Sequence, residues 1–143
     1  MIGPLHHIGI AVRRLDTALP TYRGLGLSPE AIEDIPTEGV RAAFLGVGGV
    51  RLELLEPLRP DGVIARFIER RGEGLHHLAF EVRDIRSEMN RLREGGFELV
   101  DKAPRPGAHG RQVAFVHPRT VHGVLVEIVQ DPHAADVVRA QED

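Results

Sequence analysis

The sequence predicts an α+β protein made of two tandem strand–helix–three-strand modules. One spans about residues 5–58 and the other about 75–130, within a single domain of residues 1–143. Three observations carry this reading. The segment His6-His7-Ile8-Gly9-Ile10-Ala11-Val12-Arg13 returns as His76-His77-Leu78-Ala79-Phe80-Glu81-Val82-Arg83, a spacing of 70 residues. In each half a period-two apolar pattern gives way to helical spacing and then to strands again. Each half also closes on an apolar strand that carries one acid: Glu53 in Val50-Arg51-Leu52-Glu53-Leu54-Leu55, and Glu127 in Gly123-Val124-Leu125-Val126-Glu127-Ile128-Val129. That last offset is 74 residues, so the second copy holds a few inserted residues.

The elements follow in order. Residues 6–13 alternate as a strand. Leu15, Leu19, Tyr22 and Leu25 recur at helical spacing, and the run ends at Gly24 to Gly26. Residues 28–35, 39–47 and 50–57 read as strands, separated by Pro36 and by Gly46 to Gly49. Between the modules, residues 60–71 read as a connecting helix with Val63, Ile64, Phe67 and Ile68 on one face. The second copy predicts a strand at 75–82, a helix at 85–94 (Ile85, Met89, Leu92), and strands near 97–100, 111–117 and 123–130. The polar tail after Asp131 is expected to be loosely attached.

Composition narrows the function. A formal net charge of −3 gives no basic surface for a nucleic acid or an anionic membrane. There is no cysteine, which rules out disulfides, thiolate metal ligands and thiol nucleophiles. The start has no signal-peptide pattern and no window reaches the apolar length of a membrane span, so a cytoplasmic protein is expected.

Alternation along the strands separates the histidines. His6, Ile8, Ile10 and Val12 share one face, bulky enough to pack beneath a helix, and His76, Leu78, Phe80 and Val82 repeat it. On the opposite face His7 stands beside Gly9 and Ala11, and His77 beside Ala79, so small neighbours leave room for a ligand. His7 and His77 are therefore the candidate metal ligands, with His6 and His76 structural. Glu53 and Glu127, flanked by apolar residues, would be costly as isolated buried charges, and a divalent cation removes that cost for both. Two neutral imidazoles and two carboxylates balance a doubly charged ion and suit cobalt, manganese, zinc, nickel or iron(II). A lone strand histidine or glutamate is ordinarily structural; the pairing across two copies favours a site.

These residues carry a family resemblance. The His that opens and the Glu that closes each module make the chain similar to the vicinal oxygen chelate (glyoxalase-like) superfamily, over residues 5 to 130. The most specific stretches are His6 to Val12, Leu52-Glu53-Leu54-Leu55-Glu56-Pro57-Leu58, Gly74-Leu75-His76-His77-Leu78-Ala79, Gly107-Ala108-His109-Gly110 and His117-Pro118 running on to Glu127. Where the glyoxalase branch has an Asp-Pro-(Asp/Asn)-Gly turn, this chain has His117-Pro118-Arg119-Thr120-Val121-His122-Gly123, which resembles the epimerase branch instead. The resemblance implies a cup-shaped mixed sheet with one divalent metal on its concave side, held by His7, His77 and Glu127, with Glu53 at a fourth position. It also implies a homodimer that acts on an acyl-CoA, interconverting (2R)- and (2S)-methylmalonyl-CoA through a metal-stabilised enolate.

Such an epimerisation needs an acid/base on each face of the reacting carbon. Glu127 is expected to be one of them, as ligand and base together; for the opposite face Glu53 reads either as the second or as a pure ligand. The family's other acid/base is a Glu in the second strand, and here Gly39-Val40-Arg41-Ala42-Ala43 puts Ala42 at that position. His109 and Arg111 read either as substrate contacts or as a solvent-facing loop, and His117 either as support for a ligand or as the start of a turn. The rival readings are a glyoxalase-type lactoylglutathione lyase, an iron(II) dioxygenase with Glu53 superfluous, and a non-catalytic small-molecule-binding protein of the same fold.

Overall fold

The structure is a computed structural model that describes residues 1–133; the remainder of the expected loose tail lies outside them. It contains eight strands and three helices in the predicted order. The first module comprises β1 (Leu5–Ala11), α1 (Leu15–Gly24), β2 (Pro29–Ile35), β3 (Val40–Val47) and β4 (Val50–Pro57), and α2 (Val63–Arg71) follows it. The second comprises β5 (Gly74–Glu81), α3 (Ile85–Glu94), β6 (Arg105–Pro106), β7 (Gln112–Val116) and β8 (Val126–Gln130).

The chain divides into two compact units, residues 6–78 and residues 1–5 with the chain from Ala79. In the first, the strand order is β2-β3-β4-β1 with the opening half of β5 beside β1; in the second it is the closing half of β5, then β8-β7-β6. The division falls inside β5, so His77 belongs to the unit that holds the first module.

Alternation decides the core of the first unit. Val12, Leu15, Leu19, Ala43, Leu45 and Leu54 are buried together, with Ile10 and Leu52 packed against them. They join the inner face of α1 to one face of β1, β3 and β4, as the sequence predicts. The second unit repeats the arrangement with Val82, Ile85, Met89, Leu92, Ala114 and Ile128, and Phe80 against them. Burying a side chain of this kind stabilises by about 1.5–3 kcal/mol.

Four expectations need correction. Residues 97–100 form no strand: Leu99 makes one isolated bridge to Val116, and the edge strand is the two-residue β6. Pro104 and Pro106 lack the N–H a longer ladder would need. β8 starts only at Val126, because His122 (φ 53°) and Gly123 (φ 90°) form a left-handed turn before it. The connecting helix begins at Val63, and Val63 itself is exposed, leaving Ile64 as its buried residue.

Candidate metal centre

The face of β1 and β4 turned away from α1 builds the site. β1 and β4 run parallel, with Gly9 opposite Glu53 and His7 opposite Arg51. β3 runs antiparallel to β4, with Phe44 opposite Glu53 and Ala42 opposite Leu55. Facing partners share a side of a sheet, so Glu53 lies among Gly9, Phe44, Leu55 and Ala42. His7 is 2% exposed, Glu53 6% and His77 7%.

His7 meets both other side chains. His7 Nε2 is 3.0 Å from His77 Nε2 and 3.5 Å from Glu53 Oε2. Two imidazole lone pairs facing each other at this distance repel, so the pair requires a proton on one nitrogen or a cation shared by both. Nitrogens each about 2.1 Å from one ion and set at right angles lie about 3.0 Å apart. The observed spacing matches that geometry, and the all-nitrogen-and-oxygen donor set fits a divalent first-row ion.

Gly9 makes this convergence possible. A Cβ at Gly9 would meet His77 Cε1 at 2.1 Å and Nδ1 at 2.4 Å. The room that sequence reasoning assigned to a ligand is thus partly taken by the second imidazole itself. Gly9 is the site residue that reasoning missed, although its place in a run of small residues was the available signal.

Each candidate ligand histidine also touches its predecessor in the chain. His6 Nδ1 lies 2.7 Å from His7 Nδ1, and His76 Nδ1 lies 2.9 Å from His77 Nδ1. The His76 ring stands edge-on to Phe67 of α2, with 4.9 Å between centroids.

Glu127 belongs to the other unit, on β8, 5% exposed between Val126 and Ile128. Arg111 is no solvent-facing loop residue: it is 5% exposed and its Nε donates to Asp131 Oδ2 at 3.3 Å. His109 is exposed in a 3-10 turn, with φ 57°. His117 starts a turn at Pro118, its Nδ1 accepting from the Arg119 N–H at 3.1 Å. In the second unit burial, then the Asp131 charge, raises the pKa of Glu81.

A centre of two histidines and a carboxylate on paired βαβββ modules defines a class, and residues 6–115 match the Glyoxalase/Bleomycin resistance protein/Dioxygenase superfamily; the chain belongs to it. Within that superfamily it is similar to methylmalonyl-CoA epimerases. It is 41% identical to the ethylmalonyl-CoA/methylmalonyl-CoA epimerase of Cereibacter sphaeroides, over 91% of this chain and 99% of that protein. It is 35% identical to the mitochondrial methylmalonyl-CoA epimerase of Homo sapiens, over 90% of this chain and 74% of that protein. A variant of the Streptomyces coelicolor methylmalonyl-CoA epimerase, solved in complex with 2-nitronate-propionyl-CoA, superposes with a TM-score of 0.87 at 34% identity, over 92% of this chain and 96% of that one. Among the described residues no helix is long and apolar enough to cross a membrane.

Proposed function

We propose that this chain is a divalent-metal-dependent epimerase that interconverts (2R)- and (2S)-methylmalonyl-CoA, with His7, Glu53, His77 and Glu127 as metal ligands. The observation that carries the proposal is the buried contact of His7 with His77 on one side and with Glu53 on the other, in a chain 41% identical to an epimerase of that substrate class. Glu127 joins the set because it is the repeat's counterpart of Glu53 and is equally buried. The same reading carries an acyl-CoA substrate, a cobalt, manganese, zinc or nickel ion, and a homodimer working in the cytoplasm.

When bound, the ion supplies a Lewis acid that offsets the negative charge growing on the thioester oxygen. The chain's own residues move the proton. Glu127 takes it from the carbon between thioester and carboxylate, and Glu53, carrying a solvent-derived proton at that stage, returns one from the opposite face; proton exchange with solvent then restores both carboxyl groups. Ala42, whose methyl shares the Glu53 face, has no titratable group for either step. Phe44, 2% exposed, and Leu55, 5% exposed, put apolar bulk around Glu53 and keep water from competing there.

The test is solvent exchange. The metal-loaded protein, incubated with methylmalonyl-CoA in deuterated water, is expected to place deuterium at C2. No exchange with any of the four metals would refute the epimerase reading. Glu127→Gln is expected to slow exchange by about 10²–10⁴-fold, and full retained activity would remove Glu127 from its role.

A further inference from the structure

The sequence assigns His6 and His76 to packing, yet each places a ring nitrogen against a candidate ligand histidine, and it does so twice. The contacts His6 Nδ1 to His7 Nδ1 at 2.7 Å and His76 Nδ1 to His77 Nδ1 at 2.9 Å repeat the same atoms in both copies. Together with the 3.0 Å contact between His7 Nε2 and His77 Nε2 they form a row of four imidazoles, His6-His7-His77-His76.

A neutral imidazole has one N–H and one lone pair. For His7 and His77 to bind an ion through Nε2, that nitrogen must offer its lone pair, so the proton must sit on Nδ1. An Nδ1–H 2.7–2.9 Å from another nitrogen donates to it, which requires the Nδ1 of His6 and of His76 to be unprotonated acceptors. We infer that His6 and His76 are positioning residues for the metal: each accepts the Nδ1–H of the ligand histidine beside it, fixing the tautomer and ring orientation that expose Nε2. This rests on the metal reading above.

Acceptors of this kind are commonly carboxylates or main-chain carbonyls. A neutral acceptor suits this centre, because two glutamates already balance a doubly charged ion and further carboxylates would leave buried charge in excess. In an imidazole acceptor the atom that matters is Nδ1. Asparagine places its Oδ1 close to that position, whereas phenylalanine keeps the ring and removes the acceptor.

The experiment titrates cobalt(II) alone into the full chain and into His6→Asn, His6→Phe, His76→Asn and His76→Phe, reading affinity by calorimetry and ligand geometry from the visible cobalt spectrum. Far-UV circular dichroism reports folding, and His6→Leu and His76→Leu replace any phenylalanine variant that does not fold. The asparagine variants are expected to bind within about threefold of the unsubstituted chain with its spectrum, and the phenylalanine variants about 10–100-fold more weakly with an altered one. A packing role gives the reverse order, and phenylalanine variants that bind as tightly as the unsubstituted chain overturn the inference while leaving the metal reading intact. If the unsubstituted chain binds no cobalt, zinc, nickel or manganese, both fall together.

Discussion

Helices α1 and α3 are anchored alike at one point and differently along the rest of their length. The Leu15 N–H donates to Glu56 Oε1 at 3.0 Å, and the Ile85 N–H donates to Gln130 Oε1 at 2.9 Å. Glu56 and Gln130 each stand three residues beyond the acid of their strand, Glu53 and Glu127, so the shared bond ties each helix start to the strand that carries a candidate ligand. Elsewhere the copies diverge. Asp84 caps α3 by accepting from the Ser87 N–H at 3.2 Å, whereas Arg14 at the same point of α1 offers no side-chain cap. Pro20 interrupts α1, and Asn90 stands there in α3. Ala18 is matched by Glu88, whose buried carboxylate accepts from Arg91 Nε at 2.8 Å. What positions the acids is common to both copies; what sets the strength of each helix is not.

Four substitutions probe that comparison, from the largest effect to the smallest. Gly9 and Ala79 are equivalent in the repeat, and Gly9 lies against the His77 ring. Gly9→Ala forces a methyl into the His77 ring. It is expected to cut cobalt affinity and exchange by about a hundredfold, the scale of a 1 Å misplacement at a reacting centre. Wild-type cobalt binding by this variant would show that the His77 ring need not lie over Gly9.

Glu88→Gln tests the acid that α3 has and α1 lacks. The hydrogen bond from Arg91, then its charge along with that of the Met1 ammonium, holds the Glu88 pKa below the ordinary glutamate value, against an opposing effect of burial. A depressed folded pKa gives stability that is present above the unfolded value and lost as pH falls through the lower, folded one. Thermal unfolding should therefore show the variant less stable by about 1–2 kcal/mol at neutral pH, the gap closing in acid below the ordinary range of about 4.3. A gap independent of pH would dissociate the effect from the carboxylate's charge.

The caps come last. Asp84→Ala should cost about 1 kcal/mol, and Arg14→Asp should recover a similar amount by giving α1 the cap it lacks. Calorimetric midpoints shifting by about 4 °C in opposite directions are the expected outcome. Shifts of the same sign would mean that the two helix starts are not equivalent.

The sequence displayed the repeat, the helix faces and the side chains that meet at His7 because each leaves a trace: Leu15 and Leu19 at helical spacing, His7 and His77 on the small-residue face of alternating strands, Glu53 as an acid between apolar residues. The two-residue β6 left no such trace, since prolines govern it through missing donors rather than through hydropathy. Arg111 stayed open between two readings for a related reason. Its loop is rich in glycine and polar residues, and only the folded chain reveals Asp131 20 residues on as the partner that makes its burial tolerable. Glu127 was legible on the same ground as Glu53, an acid flanked by apolar residues in the closing strand of its module.

Strands β2 and β6 end their respective ladders, and neither offers another chain a clean row of donors and acceptors. β2 opens on Pro29, slips register between Pro29 and Ala31, and turns the charged Glu30 and Asp34 outward, while β6 is two residues long and ends on Pro106. Blunted margins of this sort discourage strand-to-strand growth into fibres. Among the described residues, the margins therefore favour self-association through side-chain surfaces over the continuation of a β-ladder.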